Sequence, residues 1–224
     1  MKKYFLKNTH ILWFLFLPVY FLVFGLIEKN IRDDYWVSYC ILDDYIPFIK
    51  EFVVAYILWY PLLIGTAIWT FLKDTQAFKR YAYSMTVGLS LSIAICIFLP
   101  NGQNLRPEIV STDIFSSCIG LLYSIDTNTN VFPSMHVVAT IAAVAAVYDT
   151  KTIKSRVVKP AVLILGILIC LSTVFIKQHS ILDVFCGLGI GLVICFLVYF
   201  LIKSRKKSNQ SEQPSQQPTG PARL

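Results

Sequence analysis

Long apolar blocks alternate with short polar segments along almost the whole chain. Six blocks run approximately over residues 11–27, 52–72, 81–99, 134–148, 160–176 and 181–202. Most of them approach the roughly 20 residues that an α-helix needs to span the ~30 Å hydrocarbon core of a bilayer. The block at 134–148 is short and rich in alanine, which suits a helix inside a bundle. The pattern therefore predicts an all-α fold, an integral membrane bundle of six transmembrane helices.

The two ends of the chain have their own patterns. The first apolar block follows Met1-Lys2-Lys3, as in a secretory signal, but it is long and has no small-x-small cleavage site before Glu28, so we expect a retained helix. Residues 208–224 are rich in Gln, Ser and Pro, and we expect them to be disordered. The predicted organisation is a membrane domain over 1–207 and a cytoplasmic tail over 208–224.

Composition and charge support a membrane protein. The chain is 56% hydrophobic and 15% charged, whereas a soluble domain carries about 25% charged residues. Fifteen of the 20 Lys and Arg lie in the N-terminus, 73–80, 149–159 and 203–224, and ten of the 13 acidic residues lie in 28–51, 100–133 and 177–183. The positive-inside rule then predicts a multi-pass cell-membrane protein with both termini in the cytoplasm. The net charge of +7 is thus mainly a sign of topology, and we expect no nucleic-acid partner.

The six cysteines form no CxxC pair, and four of them lie inside apolar blocks. We interpret them as small buried hydrophobic residues. A disulfide between Cys40 and Cys118 is the alternative, because both residues fall on the predicted outer side.

The predicted outer segment 28–51 combines acidic pairs with aromatic residues. It contains Asp33-Asp34, Tyr35-Trp36 and Asp43-Asp44. Tyrosine and tryptophan concentrate at the headgroup level of membranes, so we interpret the segment as interfacial. A metal site built from the paired carboxylates is the alternative.

The first candidate for chemistry is Pro133-Ser134-Met135-His136, where an outer segment leads into an apolar block. Proline suits the first turn of a helix, so the motif predicts a helix start. The free N–H groups and the positive dipole end of such a start attract phosphate. Ser134 adds a hydroxyl donor, and His136 lies in the same turn.

The second candidate is the segment from Lys177 to Asp183. His179 and Asp183 are four residues apart, which predicts that they share one helix face. A carboxylate can hold an imidazole in one tautomer and leave its other nitrogen nucleophilic. Lys177 supplies a cation. Arg106, in the outer segment 100–133, has the side chain best shaped for bidentate phosphate contact.

These groups all fall on the predicted outer side of the membrane. Two imidazoles, a carboxylate, two cations and a helix N-terminus together suit phosphoryl transfer without a metal. Ionisable groups that cluster at one face also disfavour a transporter, in which they are expected near mid-membrane. The retention of both histidines and of Asp183 disfavours a non-catalytic protein.

The order of these motifs resembles the type-2 phosphatidic acid phosphatase and vanadium haloperoxidase superfamily, over about residues 80–184. The matching pieces are Arg106-Pro107, Pro133-Ser134-Met135-His136, and Ser172 followed by His179-Ser180-Ile181-Leu182-Asp183. Three positions depart from the family pattern: this chain has Leu99 where the family usually has lysine, Met135 where it has glycine and Thr173 where it has arginine. The motifs Phe-Pro-Ser-Met-His (132–136) and Lys-Gln-His (177–179) resemble those of the inositol phosphorylceramide synthase branch more closely.

The resemblance implies a mechanism and a function. It implies that His179 attacks phosphorus to form a phosphohistidine, that Asp183 orients it, and that His136 protonates the leaving oxygen. It implies that Arg106, Ser134 and Lys177 hold the phosphate oxygens, with no metal and no cofactor. The expected function is a membrane phosphatase that hydrolyses a phosphomonoester or pyrophosphate lipid at the extracytoplasmic face. A lipid phosphotransferase of the inositol phosphorylceramide synthase type is the alternative.

Overall fold

The computed structural model describes residues 13, 15–29 and 34–211, and within them the chain is mostly helical, as predicted. The helices are α1 (Phe16–Lys29), α2 (Val53–Ile57), α3 (Trp59–Lys73), α4 (Thr75–Phe98), α5 (Ile114–Ile125), α6 (Met135–Asp149), α7 (Val158–Phe175) and α8 (Ile181–Ser211). Short 3-10 turns cover Ile41–Asp44 and Lys50–Phe52, and two-residue strands cover Trp36–Val37 (β1) and Asn101–Gly102 (β2).

Four helical stretches in the described residues are long and apolar enough to cross a membrane. They are Lys50–Lys73, Thr75–Phe98, Val158–Phe175 and Ile181–Phe200. Helix α6 has 15 residues, a length of roughly 22 Å at 1.5 Å per residue, which is short of the hydrocarbon thickness. Helix α1 has 14 described residues, and residues 1–12, including His10, lie outside the described part. The count of six spans and the side of the termini therefore stay predictions.

The first of these stretches is divided between α2 and α3 at Leu58. Pro61 follows three residues later. A proline donates no N–H to the carbonyl four residues before it, and its ring crowds that carbonyl, which here belongs to Ile57. The break therefore has a cause in the sequence.

Helix α6 is the centre of the bundle, packed among α3, α4, α7 and α8. Its buried positions are mostly small: Val137, Val138, Ala139, Thr140, Ala142, Ala143, Ala146 and Val147. Glycines on the surrounding helices meet it closely. A Cβ added at Gly88, Gly166 or Gly191 would lie 2.6–2.8 Å from a side chain of α6. Small residues on both sides let the backbones approach, as in membrane helix bundles.

The segments predicted to lie outside meet at one end of the bundle. Strand β1 pairs in parallel with β2, which joins the segment before α2 to the segment after α4. Gly102 also bridges to Thr129. The Ile49 amide donates to the Phe175 carbonyl at 2.9 Å. Segments 34–51, 100–133 and 176–183 are thus in contact with one another at this end of the bundle.

The segments predicted to lie inside meet at the opposite end. Arg80 of α4 pairs with Asp149 at the end of α6, with an N–O distance of 2.5 Å. Trp69 of α3 donates to Thr152 at 2.9 Å. The grouping of the segments inferred from charge is therefore the grouping that the fold brings into contact.

Three further expectations concern the tail, the cysteines and the acidic pairs. Helix α8 continues to Ser211, which is four residues into the predicted tail, and 212–224 lie outside the described residues. All six cysteines are free, so the Cys40–Cys118 disulfide is not formed. Asp33 also lies outside the described residues.

Candidate active site

The His179–Asp183 pair stands at the start of α8. Nδ1 of His179 lies 3.3 Å from Oδ2 of Asp183, as the spacing of four residues predicts. The Asp183 side chain is fully buried and that of His179 is 8% exposed. With Nδ1 engaged by the carboxylate, Nε2 is the nitrogen left for chemistry.

Two further donors fix the Asp183 carboxylate. The Ser38 hydroxyl donates to Oδ1 at 2.5 Å, and the Ser180 amide donates to Oδ2 at 2.9 Å. Each oxygen of the buried carboxylate therefore has a partner besides His179. Hydrogen bonds of this kind lock the orientation of the carboxylate.

The turn that carries His179 is fixed by backbone bonds to α7. The carbonyl of Thr173 accepts the amides of Gln178 and His179, at 2.9 and 3.0 Å. Lys177 adopts a left-handed backbone conformation, with φ of 54°. The chain thereby reverses within a few residues between α7 and α8.

The start of α6 is joined directly to the start of α8. Helix α6 begins at Met135, directly after Pro133-Ser134, where the sequence predicts a helix start. The Ser134 amide donates to the Asp183 carbonyl at 3.0 Å. A Cβ at Gly187 would lie 2.8 Å from the Ser134 carbonyl oxygen. The close approach of the two helix starts therefore requires glycine at 187.

This contact brings the two predicted catalytic histidines together. The ring centroids of His136 and His179 are 5.7 Å apart. On its other sides the His136 ring contacts the rings of Tyr56 and Trp59, with centroid distances of 4.5 and 4.4 Å. The Trp59 indole N–H also donates to the His136 carbonyl at 3.1 Å. Aromatic residues of α2 and α3, which the sequence analysis missed, thus hold the His136 ring.

Arg106 precedes α5 in the sequence, and its side chain contacts the C-terminal end of that helix. Its guanidinium donates to the carbonyls of Asp126 and Thr127 at 2.8 and 2.6 Å, and also to the Gln178 side chain. It stacks on the Tyr123 ring, with the guanidinium carbon 4.4 Å from the centroid. Gln178 precedes His179, so it links Arg106 to the histidine turn.

Gln178 also contacts a half-buried carboxylate, that of Asp126. Its Nε2 donates to Oδ2 of Asp126 at 3.3 Å, and the Tyr56 hydroxyl donates to the same oxygen at 3.2 Å. Burial raises the pKa of Asp126, and the charges of His179 and Arg106 oppose that shift. Asp126 is therefore a further ionisable group beside the histidines, and no helical spacing in the sequence pointed to it.

Two predicted phosphate ligands carry unpaired polar atoms. Nε of Arg106 and Oγ of Ser134 are buried and have no hydrogen-bond partner among the described residues. A buried polar group without a partner costs about 1–3 kcal/mol. Each of these donors could be satisfied by an acceptor oxygen, which is the chemistry that a phosphate offers.

Lys177, the third predicted phosphate ligand, has other partners. Its ammonium donates to the carbonyl oxygens of Asp43 and Ile46, at 2.9 and 2.6 Å. Burial lowers its pKa, while the nearby carboxylates of Asp43 and Asp44 raise it. The structure thus ties Lys177 to the segment before α2, and this geometry favours a role in holding that segment.

Asp43 contacts the start of α8, which the sequence analysis did not predict. Its Oδ1 accepts the Ile181 amide at 2.8 Å, and its Oδ2 accepts the Ser180 hydroxyl at 2.6 Å. It therefore caps the start of α8, as an acidic residue at a helix N-terminus should. Within the described residues, no three His, Cys, Asp or Glu side chains lie together as a metal site. Both oxygens of the Asp43 carboxylate are engaged in this cap, which disfavours the alternative of a metal site at Asp43-Asp44.

Comparison with known proteins identifies the family. The model of the PAP2 superfamily matches residues 75–207, which is more than half of the chain. The chain belongs to the PAP2 superfamily. No curated protein matches it. Among solved structures it is similar to the crystal structure of Aquifex aeolicus LpxE, with 17% identity and a TM-score of 0.49, over 82% of this chain and 93% of that one.

At two positions where this chain departs from the PAP2 pattern, the residue present makes a hydrogen bond. The sulfur of Met135, which replaces the pattern's glycine, accepts a hydrogen bond from the Tyr20 hydroxyl of α1. The hydroxyl of Thr173, which replaces an arginine, donates to the Cys170 carbonyl within α7 at 2.7 Å. In this PAP2 chain both side chains are therefore engaged within the helix bundle, and the cations near the histidine turn are Arg106 and Lys177.

Proposed function

We propose that this PAP2 protein is an integral membrane phosphatase that hydrolyses a phosphomonoester or pyrophosphate lipid through a phosphohistidine intermediate. The observation that carries the proposal is the joint placement of His136, His179 and Asp183. Arg106 and Ser134, which are linked to the same turn and helix start, each have a buried polar atom without a partner among the described residues. Four apolar helices of spanning length supply the membrane context.

The first step is the transfer of the phosphoryl group to the enzyme. Nε2 of His179 attacks phosphorus, the bond from phosphorus to the lipid oxygen breaks, and His136 gives a proton to that oxygen. The Asp183 carboxylate stabilises the positive charge that develops on His179. Arg106 Nε and the Ser134 hydroxyl donate to the equatorial oxygens, where negative charge is greatest.

The second step releases phosphate. His136, now neutral, removes a proton from water, and the resulting oxygen attacks the phosphohistidine. The N–P bond breaks, and His179 and His136 return to their starting states. In this scheme Lys177 is a positioning residue, because its ammonium is directed to backbone carbonyls.

The site faces the extracytoplasmic side in this proposal. The helix starts that carry His136 and His179 lie at the end of the bundle with few Lys and Arg, and the opposite end carries the basic segments. A lipid phosphate would then approach from the outer leaflet.

A phosphate-release panel in detergent, with EDTA present, tests the proposal. The panel contains phosphatidic acid, phosphatidylglycerol phosphate, isoprenyl pyrophosphate and a sphingoid phosphate. We expect release from at least one lipid, resistance to EDTA, inhibition by vanadate, and no release by the His179→Ala variant. Loss of activity in EDTA with recovery on added Mg²⁺ would contradict the metal-independent scheme.

The phosphotransferase alternative uses the same residues, so products must separate the two. The same panel is run with and without a lipid alcohol or inositol as acceptor. Free phosphate in both arms supports hydrolysis. A phosphorylated acceptor formed in place of free phosphate would support the transferase.

A further inference from the structure

Residues 36–45, here called the strap, have an unusual burial pattern. The polar Ser38 and Asp43 are buried, at 0% and 2% exposure. The apolar and aromatic side chains of the strap point outward and are 40–79% exposed: Trp36, Val37, Tyr39, Ile41, Leu42 and Tyr45. This is the reverse of a surface segment in a soluble protein, and a contiguous exposed apolar surface marks an interaction site.

The inward side of the strap holds the start of α8. Ser38 donates to the Asp183 carboxylate at 2.5 Å. Asp43 accepts from the Ser180 hydroxyl and the Ile181 amide, at 2.6 and 2.8 Å. The strap therefore contacts α8 directly beside His179.

The strap is close in sequence to a stretch long and apolar enough to cross a membrane. The spanning stretch Lys50–Lys73 begins five residues after Tyr45, a distance of at most roughly 17 Å for an extended chain. Tryptophan and tyrosine, both present in the strap, are the residues that favour the headgroup region. Chain continuity and composition thus indicate one occupant for this surface, the lipid headgroup region.

We propose that the strap rests on the bilayer through its apolar side chains and, through Ser38 and Asp43, holds the start of α8 in place. Contact with lipid then stabilises the geometry of His179 and Asp183. Ser38 and Asp43 act as positioning residues. The consequence for turnover rests on the proposed function, whereas the lipid contact and the order of α8 do not.

Quenching of Trp36 fluorescence tests the lipid contact. The protein is reconstituted in vesicles of phosphatidylcholine brominated at either shallow or deep acyl positions. The contribution of Trp36 is the difference between the unaltered protein and Trp36→Phe. We expect this contribution to be quenched, and more strongly by the shallow bromines. A Trp36 contribution that neither lipid quenches would overturn the lipid contact.

Amide hydrogen exchange in lipid nanodiscs tests the hold on α8 without any assay of activity. In the Ile41→Ser/Leu42→Ser variant we expect the amides of 180–182 to exchange about 3- to 10-fold faster, the range that follows from weakening one hydrogen bond. Tyr45→Ser, at a 79% exposed position, is a milder variant and should act in the same direction.

The matched control is Val110→Ser/Ile114→Ser, at positions that are 87% and 73% exposed and lie outside the strap. It removes similar apolar surface and should leave the exchange of 180–182 unchanged. Equal exchange in the strap variants and the control would overturn the hold on α8.

Turnover of the best panel lipid then tests the positioning role. Ser38→Ala should lower kcat about 3- to 10-fold with KM unchanged, and Ser38→Thr, which keeps the hydroxyl, should recover part of the loss. An unchanged kcat in Ser38→Ala would contradict the positioning role. If no panel lipid is turned over, the proposed function fails, while the quenching and exchange results still decide the strap.

Discussion

His136 and His179 have different surroundings, and these surroundings suit different tasks. His179 is paired with a buried carboxylate, which fixes its tautomer. His136 lies in the first turn of α6 and contacts Tyr56 and Trp59. Burial, and after it the neighbouring His179, lowers the pKa of the His136 imidazole well below its ordinary value, and a bound phosphate favours the return of the proton. His136 is therefore expected to be a general acid that carries its proton only when the substrate is bound.

The different tasks predict a dependence on the leaving group. His136→Ala should lower kcat/KM for a lipid substrate by about 10²–10⁴-fold, the contribution expected of a general acid. The loss should be much smaller for p-nitrophenyl phosphate, whose leaving group needs little protonation. His10→Ala serves as the control histidine variant. Equal losses on both substrates would contradict the role of His136 as the acid.

At the residue scale, the sequence reveals local pairs and misses distant ones. The spacing of His179 and Asp183 could be predicted because four residues is one turn of a helix. The Ser38 and Asp43 contacts join residues 145 and 137 positions apart, and such pairs have no periodic signature. The partners of Lys177 could not be predicted either, because its ammonium donates to the backbone carbonyls of Asp43 and Ile46, more than 130 positions away in the sequence.

At the element scale, the site depends on the crossing of α6 and α8. The start of α6 could be predicted from Pro133-Ser134, and the small residues of α6 indicate an interior helix. How close the helices approach could not be predicted, because it depends on which glycines face α6. Gly187 faces the Ser134 carbonyl, whereas Gly189, two residues along, has nothing within 4 Å of its Cβ position.

This difference gives a matched pair of substitutions. Gly187→Ala should separate the two helix starts, lower the free energy of unfolding by about 1–3 kcal/mol and reduce turnover strongly. Gly189→Ala should keep turnover and leave stability unchanged or higher, because alanine is the better helix former. Thermal unfolding in detergent and phosphate release measure the two effects. Equal behaviour of the two variants would contradict the close contact as the determinant of the site.

At the scale of the whole molecule, charge and contact agree on which segments lie together. The basic segments meet at one end through Arg80 and Asp149, and the acidic segments meet at the other through β1 and β2. Hydropathy could predict the long spans because each is continuous in sequence. It also located α6, at the predicted block 134–148, but not α5, whose 12 residues lie within the predicted outer segment 100–133 and are too few to span a bilayer.

Reporter fusions test the orientation of this layout. Fusions after residues 40, 120 and 210 should be read as outside, outside and inside, because Lys and Arg are concentrated in the segments assigned to the cytoplasm. The fusion after 120 is the critical one, since Arg106 shares its segment. An inside signal there, with an outside signal at 40, would contradict the arrangement.

The central claim is that His179 is the nucleophile, and a trapped phosphoenzyme tests it most directly. Unaltered protein, His179→Ala and His136→Ala are each quenched after brief incubation with a ³²P-labelled panel lipid, and acid-labile, base-stable label on the protein is counted. We predict label in the unaltered protein, none in His179→Ala, and label in His136→Ala when the leaving group is good. Label in His179→Ala together with none in His136→Ala would contradict the assignment.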